Sequence, residues 1–156
     1  MRLTVLTSII FSLATASETL ANDFGRWHAD KAHGYERYWT ESRSGARFTI
    51  WCPPSHRARD ALIGIHIKGH RPEPDSLVRI QLDHKLITFR AGPDGYIRND
   101  CTACTDNLTY FWHQLRSSVK FAVQFEDRRY AGFSLSGVRE ATPHAVCASQ
   151  IAQNVQ

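Results

Sequence analysis

Four groupings of residues in this 156-residue chain have types and spacings that could do chemistry. The first is Cys101-Thr-Ala-Cys104. Two cysteines at this spacing can cycle between dithiol and disulfide. That chemistry wants the first thiol at a helix N-terminus, where the dipole stabilises a thiolate. The local pattern instead predicts a helix over 107–117 capped by Asp106, which begins after the second cysteine. Asp100 and Asp106 flank the pair and disfavour a thiolate. No βαβ pattern of the thioredoxin kind precedes it. A local structural disulfide is the expectation, with thiol–disulfide exchange through Cys101 and Cys104 as the alternative.

The second grouping is histidine. His66 and His70 have a His-x3-His spacing that zinc sites use. On a strand, however, residues four apart lie about 13 Å from each other, unless Gly69 turns the chain. The third is Asp83-His84, an acid–base dyad by composition. Neighbours on a strand face opposite ways, so a turn is the better account. His113 and His144 stand outside any nucleophile, zinc-protease or phosphate-loop motif. These residues assign no catalytic group, no metal and no cofactor. The fourth grouping is aromatic and basic: Tyr35, Tyr38, Trp39 and Trp51, with Arg37, Arg43 and Arg47 among them. Such interleaving can bind sugars or single-stranded nucleic acid, or it can be the half-buried rungs of a sheet. Tyr35, Arg37, Tyr38, Trp39 and Trp51 are taken as the candidate binding surface.

The elements that must position these residues are mostly strands. Phe121, Val123 and Phe125 alternate with polar residues, Asp127-Arg128 fits a turn, and Ala131, Phe133 and Leu135 resume the period: a hairpin with one apolar face. Phe48, Ile50 and Cys52 share a strand face, stopped by Pro53-Pro54. Ile63, Ile65 and Ile67 mark another strand over 62–68. A hairpin spans 77–90 around Asp83-His84. Tyr35, Arg37 and Trp39 fall on one face of the first strand, with Tyr38 on the other. Leu108, Phe111, Trp112 and Leu115 form an apolar helical stripe. Thr142-Pro143 reads as the start of a second helix, and the segment before Tyr35 reads as an exposed lead-in on which Trp27 can dock. The expectation is a mainly β, α+β fold of about seven strands: an antiparallel sheet, sandwich or half-barrel with two short helices late in the chain.

The chain opens with Met1-Arg2 and an apolar run to Ala14, the pattern of a secretory signal peptide cleaved after Ala16 or Ala21. Residues 22–156 are then a single domain without a transmembrane segment. Four cysteines in an oxidising compartment predict two disulfides, with three pairings open. The net charge of +4 is mild and scattered, without a basic run, which together with export argues against nucleic acid.

One order of features is familiar. An aromatic strand (Tyr38-Trp39) comes first and a strand ending in Cys52 follows. Phe133-Ser-Leu135-Ser-Gly137-Val-Arg-Glu-Ala141 then precedes Cys147. This resembles a loose group of small secreted or periplasmic bacterial proteins, invasion-associated or associated with type VI secretion, that share Phe-x-Leu-x-Gly-x-x-x-Ala followed by cysteine. The resemblance implies a small β-rich domain in which Cys52 pairs with Cys147, and it implies no catalytic residue. Cys101-x-x-Cys104 goes beyond the pattern. The resulting expectation is an exported, non-catalytic binding protein, periplasmic or secreted, whose partner is another envelope or host protein. The alternatives are a thiol–disulfide redox protein and a periplasmic metal or small-ligand binder.

Overall fold

Alternating apolar residues build two antiparallel sheets in the computed structural model, which describes residues 24–148. The first sheet contains β1 (His28–Ala32), β2 (Tyr35–Glu41), β3 (Arg47–Cys52), β4 (Leu62–His66) and β7 (Ile97–Arg98), in the order β1-β2-β3-β4-β7. The second contains β5 (Leu77–Leu82), β6 (Lys85–Arg90), β8 (Phe121–Phe125) and β9 (Tyr130–Phe133), in the order β6-β5-β8-β9. Between β7 and β8 lies α1 (Thr102–Ser117), and α2 (Val138–Ala141) follows β9. The signal-peptide reading falls on residues outside those described.

The core forms where three apolar surfaces meet. Tyr38, Phe48, Ile50, Ile63 and Ile65 point inward from the first sheet, and Val78, Ile80, Phe89, Phe121 and Val123 from the second. The helical stripe Leu108, Phe111, Trp112 and Leu115 is wholly buried between them. Phe111 contacts Phe48 of one sheet and Phe89 of the other, with ring centroids 5.8 Å and 5.7 Å away. Burying a side chain of this size stabilises the fold by roughly 2–3 kcal/mol before ordering costs. Trp27 does dock: its ring packs on Phe48 and Phe121, and its Nε1 donates to the Ser134 carbonyl at 3.0 Å. Both disulfides are formed, Cys52 with Cys147 and Cys101 with Cys104.

The mainly β fold, both hairpins and the helical stripe are as the sequence predicts. Four details differ. The lead-in before Tyr35 contains β1, which pairs in full register with β2. Its His-Ala-Asp-Lys-Ala has no apolar period because an edge strand over a solvated face needs none. β7 is too short to carry a period. The helix begins at Thr102, not after Asp106. The late helix ends before Thr142-Pro143 rather than starting there, with Gly137 in the left-handed conformation ahead of it (φ 73°).

Candidate functional site

Strand pairing turns the early aromatics into an array. On the outward face of the first sheet the register aligns Asp30, Arg37, Trp51, Leu62 and Arg98 across five strands. The adjacent row is His28, Trp39, Thr49 and Gly64, and the next is Glu41, Arg47 and His66. Arg37 grips Asp30 with both arms of its guanidinium, Nε–Oδ1 at 2.7 Å and Nη2–Oδ2 at 2.5 Å. It also lies 5.5 Å from the ring centroids of Trp39 and Trp51. Arg47 stands 5.2 Å from the ring centroid of Trp39 and pairs with Glu41 at 2.7 Å. His28 stacks on Trp39 at 4.5 Å. Each planar group is thus locked by its neighbours, which lowers the entropy a ligand contact would cost.

Small residues leave a hollow in this array. Thr49 and Gly64 sit side by side in the register and form its floor. Arg37, Arg47, Trp51, His66 and Tyr96 wall a volume of about 300 Å³. A Cβ on Gly64 would lie 2.9 Å from Tyr96 Cε1, so only glycine lets the Tyr96 ring rest against the sheet. Arg71 covers that ring at 4.1 Å, donates to the Tyr96 hydroxyl at 2.8 Å, and donates through Nε to His66 Nε2 at 3.3 Å. Among the described residues the Trp51 Nε1–H has no acceptor, which leaves a directed donor in the wall.

Charge in the array is held by pairing. The hydrogen bond from Arg37 is the main reason the Asp30 carboxyl titrates below its usual range. His66 is pushed down chiefly by burial, then by Arg71 and Arg47, which favours the neutral ring that accepts from Arg71. Tyr38 does not belong to this surface. It points into the core at 1% exposure, packs edge-on against Trp112 at 5.7 Å, and donates to Glu36 Oε2 at 2.8 Å. Burial first, and Glu36 second, raise its phenol well above the ordinary value. The period-2 rule already sets Tyr38 opposite its neighbours, so the surface keeps Tyr35, Arg37, Trp39 and Trp51. It gains Arg47, His66 and Tyr96, of which Tyr96 reaches the hollow from a distant loop.

The other groupings end up apart. Gly69 does turn the chain, with Ile67 and His70 bridged across it, and His66 is committed to Arg71. Among the described residues there is no group of three His, Cys, Asp or Glu side chains that could hold a metal ion. Asp83 sits in the β5–β6 turn at φ 53°, where its carboxylate accepts from the Val119 and Lys120 amides at 3.0 and 2.9 Å. It is a loop clamp rather than half of a dyad. Cys101 and Cys104 lie at the start of α1, with Cys101 as N-cap.

A family model described as YfjT matches residues 25–142, well over half the chain. No curated protein and no solved structure matches it. The matched span includes the whole outward face of the first sheet together with Cys52, Cys101 and Cys104, and it stops short of Cys147.

Proposed function

The chain belongs to the YfjT family, and from that premise we propose that it is an exported binding protein that contacts another envelope or host protein through the outward face of β1–β4, a face that carries no catalytic group. The supporting observation is the Arg–Trp array around the hollow floored by Thr49 and Gly64. Trp, Tyr and Arg dominate the energetics of protein contacts because they bury large areas and pair specifically. Here they are already fixed, and they leave the Trp51 donor open. Two disulfides fit a compartment outside the cytoplasm. No helix among the described residues is long and apolar enough to cross a membrane. The Phe133-x-Leu135-x-Gly137-x-x-x-Ala141 pattern followed by Cys147, which resembles that of small secreted or periplasmic bacterial proteins, supports a periplasmic or secreted location.

The test places a photo-crosslinking residue at Trp39 in the full exported chain, with Thr88 on the opposite sheet as control. One discrete protein adduct from position 39, absent from position 88 and reduced at least tenfold by Trp51→Ala, is the expected result. Equal adducts from both positions, or none from position 39, would remove the binding reading.

A further inference from the structure

The first turn of α1 is built differently from what its flanking aspartates suggest. Cys101 is extended (φ −104°, ψ 156°) and caps a helix of 16 residues. Its Sγ accepts a hydrogen bond from the Cys104 amide at 3.0 Å. A cap sulfur is a weak acceptor in a disulfide. As a thiolate, the same sulfur would make that bond charge-assisted and would sit at the positive end of the helix. No acidic residue occupies the first turn. Cys101 is exposed and Cys104 half-buried, so an incoming thiol meets Cys101 first.

Two further observations point to reactivity rather than to a staple. Cys101 opens into a cleft of about 520 Å³ that is also lined by Arg57, Arg59, Asp100, Thr105 and Asp106. Arg57 is paired with Asp60 at 2.8 Å, which leaves Arg59 and the helix end to oppose Asp100 and Asp106. Hydrogen bonds besides the disulfide also hold the helix start. The Thr105 amide donates to the Cys101 carbonyl at 2.9 Å, and the Thr105 hydroxyl donates to the Asn99 carbonyl at 2.9 Å. Asn99, 1% exposed, is itself tied to the Ala61 carbonyl at 3.0 Å. A bridge across three residues also closes too short a loop to restrain the unfolded chain much.

We propose that Cys101–Cys104 is a redox-active disulfide that oxidises a pair of cysteine thiols in a substrate polypeptide. This goes beyond the binding reading and does not rest on it. A substrate thiolate attacks Cys101 Sγ. The Cys101–Cys104 bond breaks, and Cys104 leaves as a thiolate that takes up a proton. The second substrate thiolate then attacks the substrate sulfur of the mixed disulfide, and Cys101 leaves as a thiolate held by the Cys104 amide. The substrate dithiol loses two electrons and two protons. The electrons go to the Cys101/Cys104 pair, one proton goes to Cys104, and one goes to solvent. A second polypeptide disulfide, accepting the electrons by the reverse exchange, restores the starting state.

The oxidised full chain is mixed with a two-cysteine dithiol peptide, quenched with acid and alkylated, and its intact mass is read. Oxidised peptide should appear in step with two alkyl groups on Cys101 and Cys104, while Cys52–Cys147, both 0% exposed, stays closed. In Cys104→Ser, which keeps the amide of residue 104, the Cys101 thiolate absorbance should titrate at least about one pH unit below the roughly 8.5 of free cysteine. Cys101→Ser, which breaks the same bridge but leaves the half-buried thiol, should show no such lowering. The proposal falls if Cys101–Cys104 opens no earlier than Cys52–Cys147, or if Cys101 titrates at or above the free value. Should the variants fail to fold, the exchange measured on the unmodified chain decides alone.

Discussion

The two disulfides should differ in what they contribute to stability, and the difference can be worked from loop length. Cys52 and Cys147 are 95 residues apart in sequence, so their bridge restrains most of the described chain. In the chain-entropy treatment, removing it costs roughly 4.7 kcal/mol. Cys101 and Cys104 are 3 apart, and the same treatment gives about 2 kcal/mol at most. The comparison uses Cys52→Ala/Cys147→Ala against Cys101→Ser/Cys104→Ala, because serine preserves a cap acceptor at 101. Urea unfolding followed by tryptophan fluorescence reads both, since Trp27 and Trp112 are buried. With a urea slope of about 1.5 kcal/mol per M, the midpoint should fall by about 3 M for the first variant and by about 1 M for the second. Against a total stability of about 5–15 kcal/mol, the first loss leaves the fold close to its limit. Equal shifts, or a larger one for the 101/104 variant, would show that loop closure does not govern the loss and that the start of α1 organises the fold.

Gly64→Ala should displace Tyr96, which its Cβ would meet at 2.9 Å, and lower stability by about 1–2 kcal/mol. In a Tyr96→Ala background the same change should cost little, and a double-mutant cycle in urea reads the coupling. Thr40 is fully buried and its hydroxyl has no partner among the described residues, so Thr40→Val should stabilise by about 1 kcal/mol; a lower urea midpoint would contradict this. The lowered folded pKa of His66 means that its neutral form is favoured on folding. That contribution is complete above the ordinary histidine value and is lost as pH falls through the folded one, so His66→Gln should flatten the midpoint-versus-pH curve below about pH 6.5. The Asp83 carboxyl is lowered mainly by the Val119 and Lys120 amides. Its contribution is present above the unfolded carboxyl value and is lost as pH falls through the folded one. Asp83→Asn should therefore lower the midpoint at pH 7 and weaken the decline below about pH 4.

Elements that bury one face were legible in the sequence, because burial imposes a period. Ile63 and Ile65 in β4, Val78, Ile80 and Leu82 in β5, and the stripe from Leu108 to Leu115 all face the core. β1 was not legible, since its register with β2 depends on Asp30 meeting Arg37 across the sheet rather than on an apolar rhythm. The candidate surface divides in the same way. Alternation in β2 separates Tyr35, Arg37 and Trp39 from Tyr38, and that much is written locally. The hollow is not, because it arises where Thr49 of β3 meets Gly64 of β4 and where Tyr96 arrives from a loop far along the chain. Three small or distant residues make the feature, and none of them signals it alone.

The start of α1 is the most instructive departure, because a signal was present. Asp106 is a good cap by type, and a helix starting there keeps both aspartates near the cysteines. A disulfide across three residues, however, needs its Cα atoms close, and here they are 5.0 Å apart. Three residues of α-helix rise about 4.5 Å, whereas three residues of strand span about 10 Å. The Cys-x-x-Cys spacing therefore favours a helical turn as soon as the bridge forms, and Thr105, bonded back to the Cys101 carbonyl, continues that turn. Bridge and turn support each other, which places Cys101 at the cap and not upstream of it. The same geometry that hid the helix start from a reading based on polar caps puts a sulfur where helix amides can hold its charge.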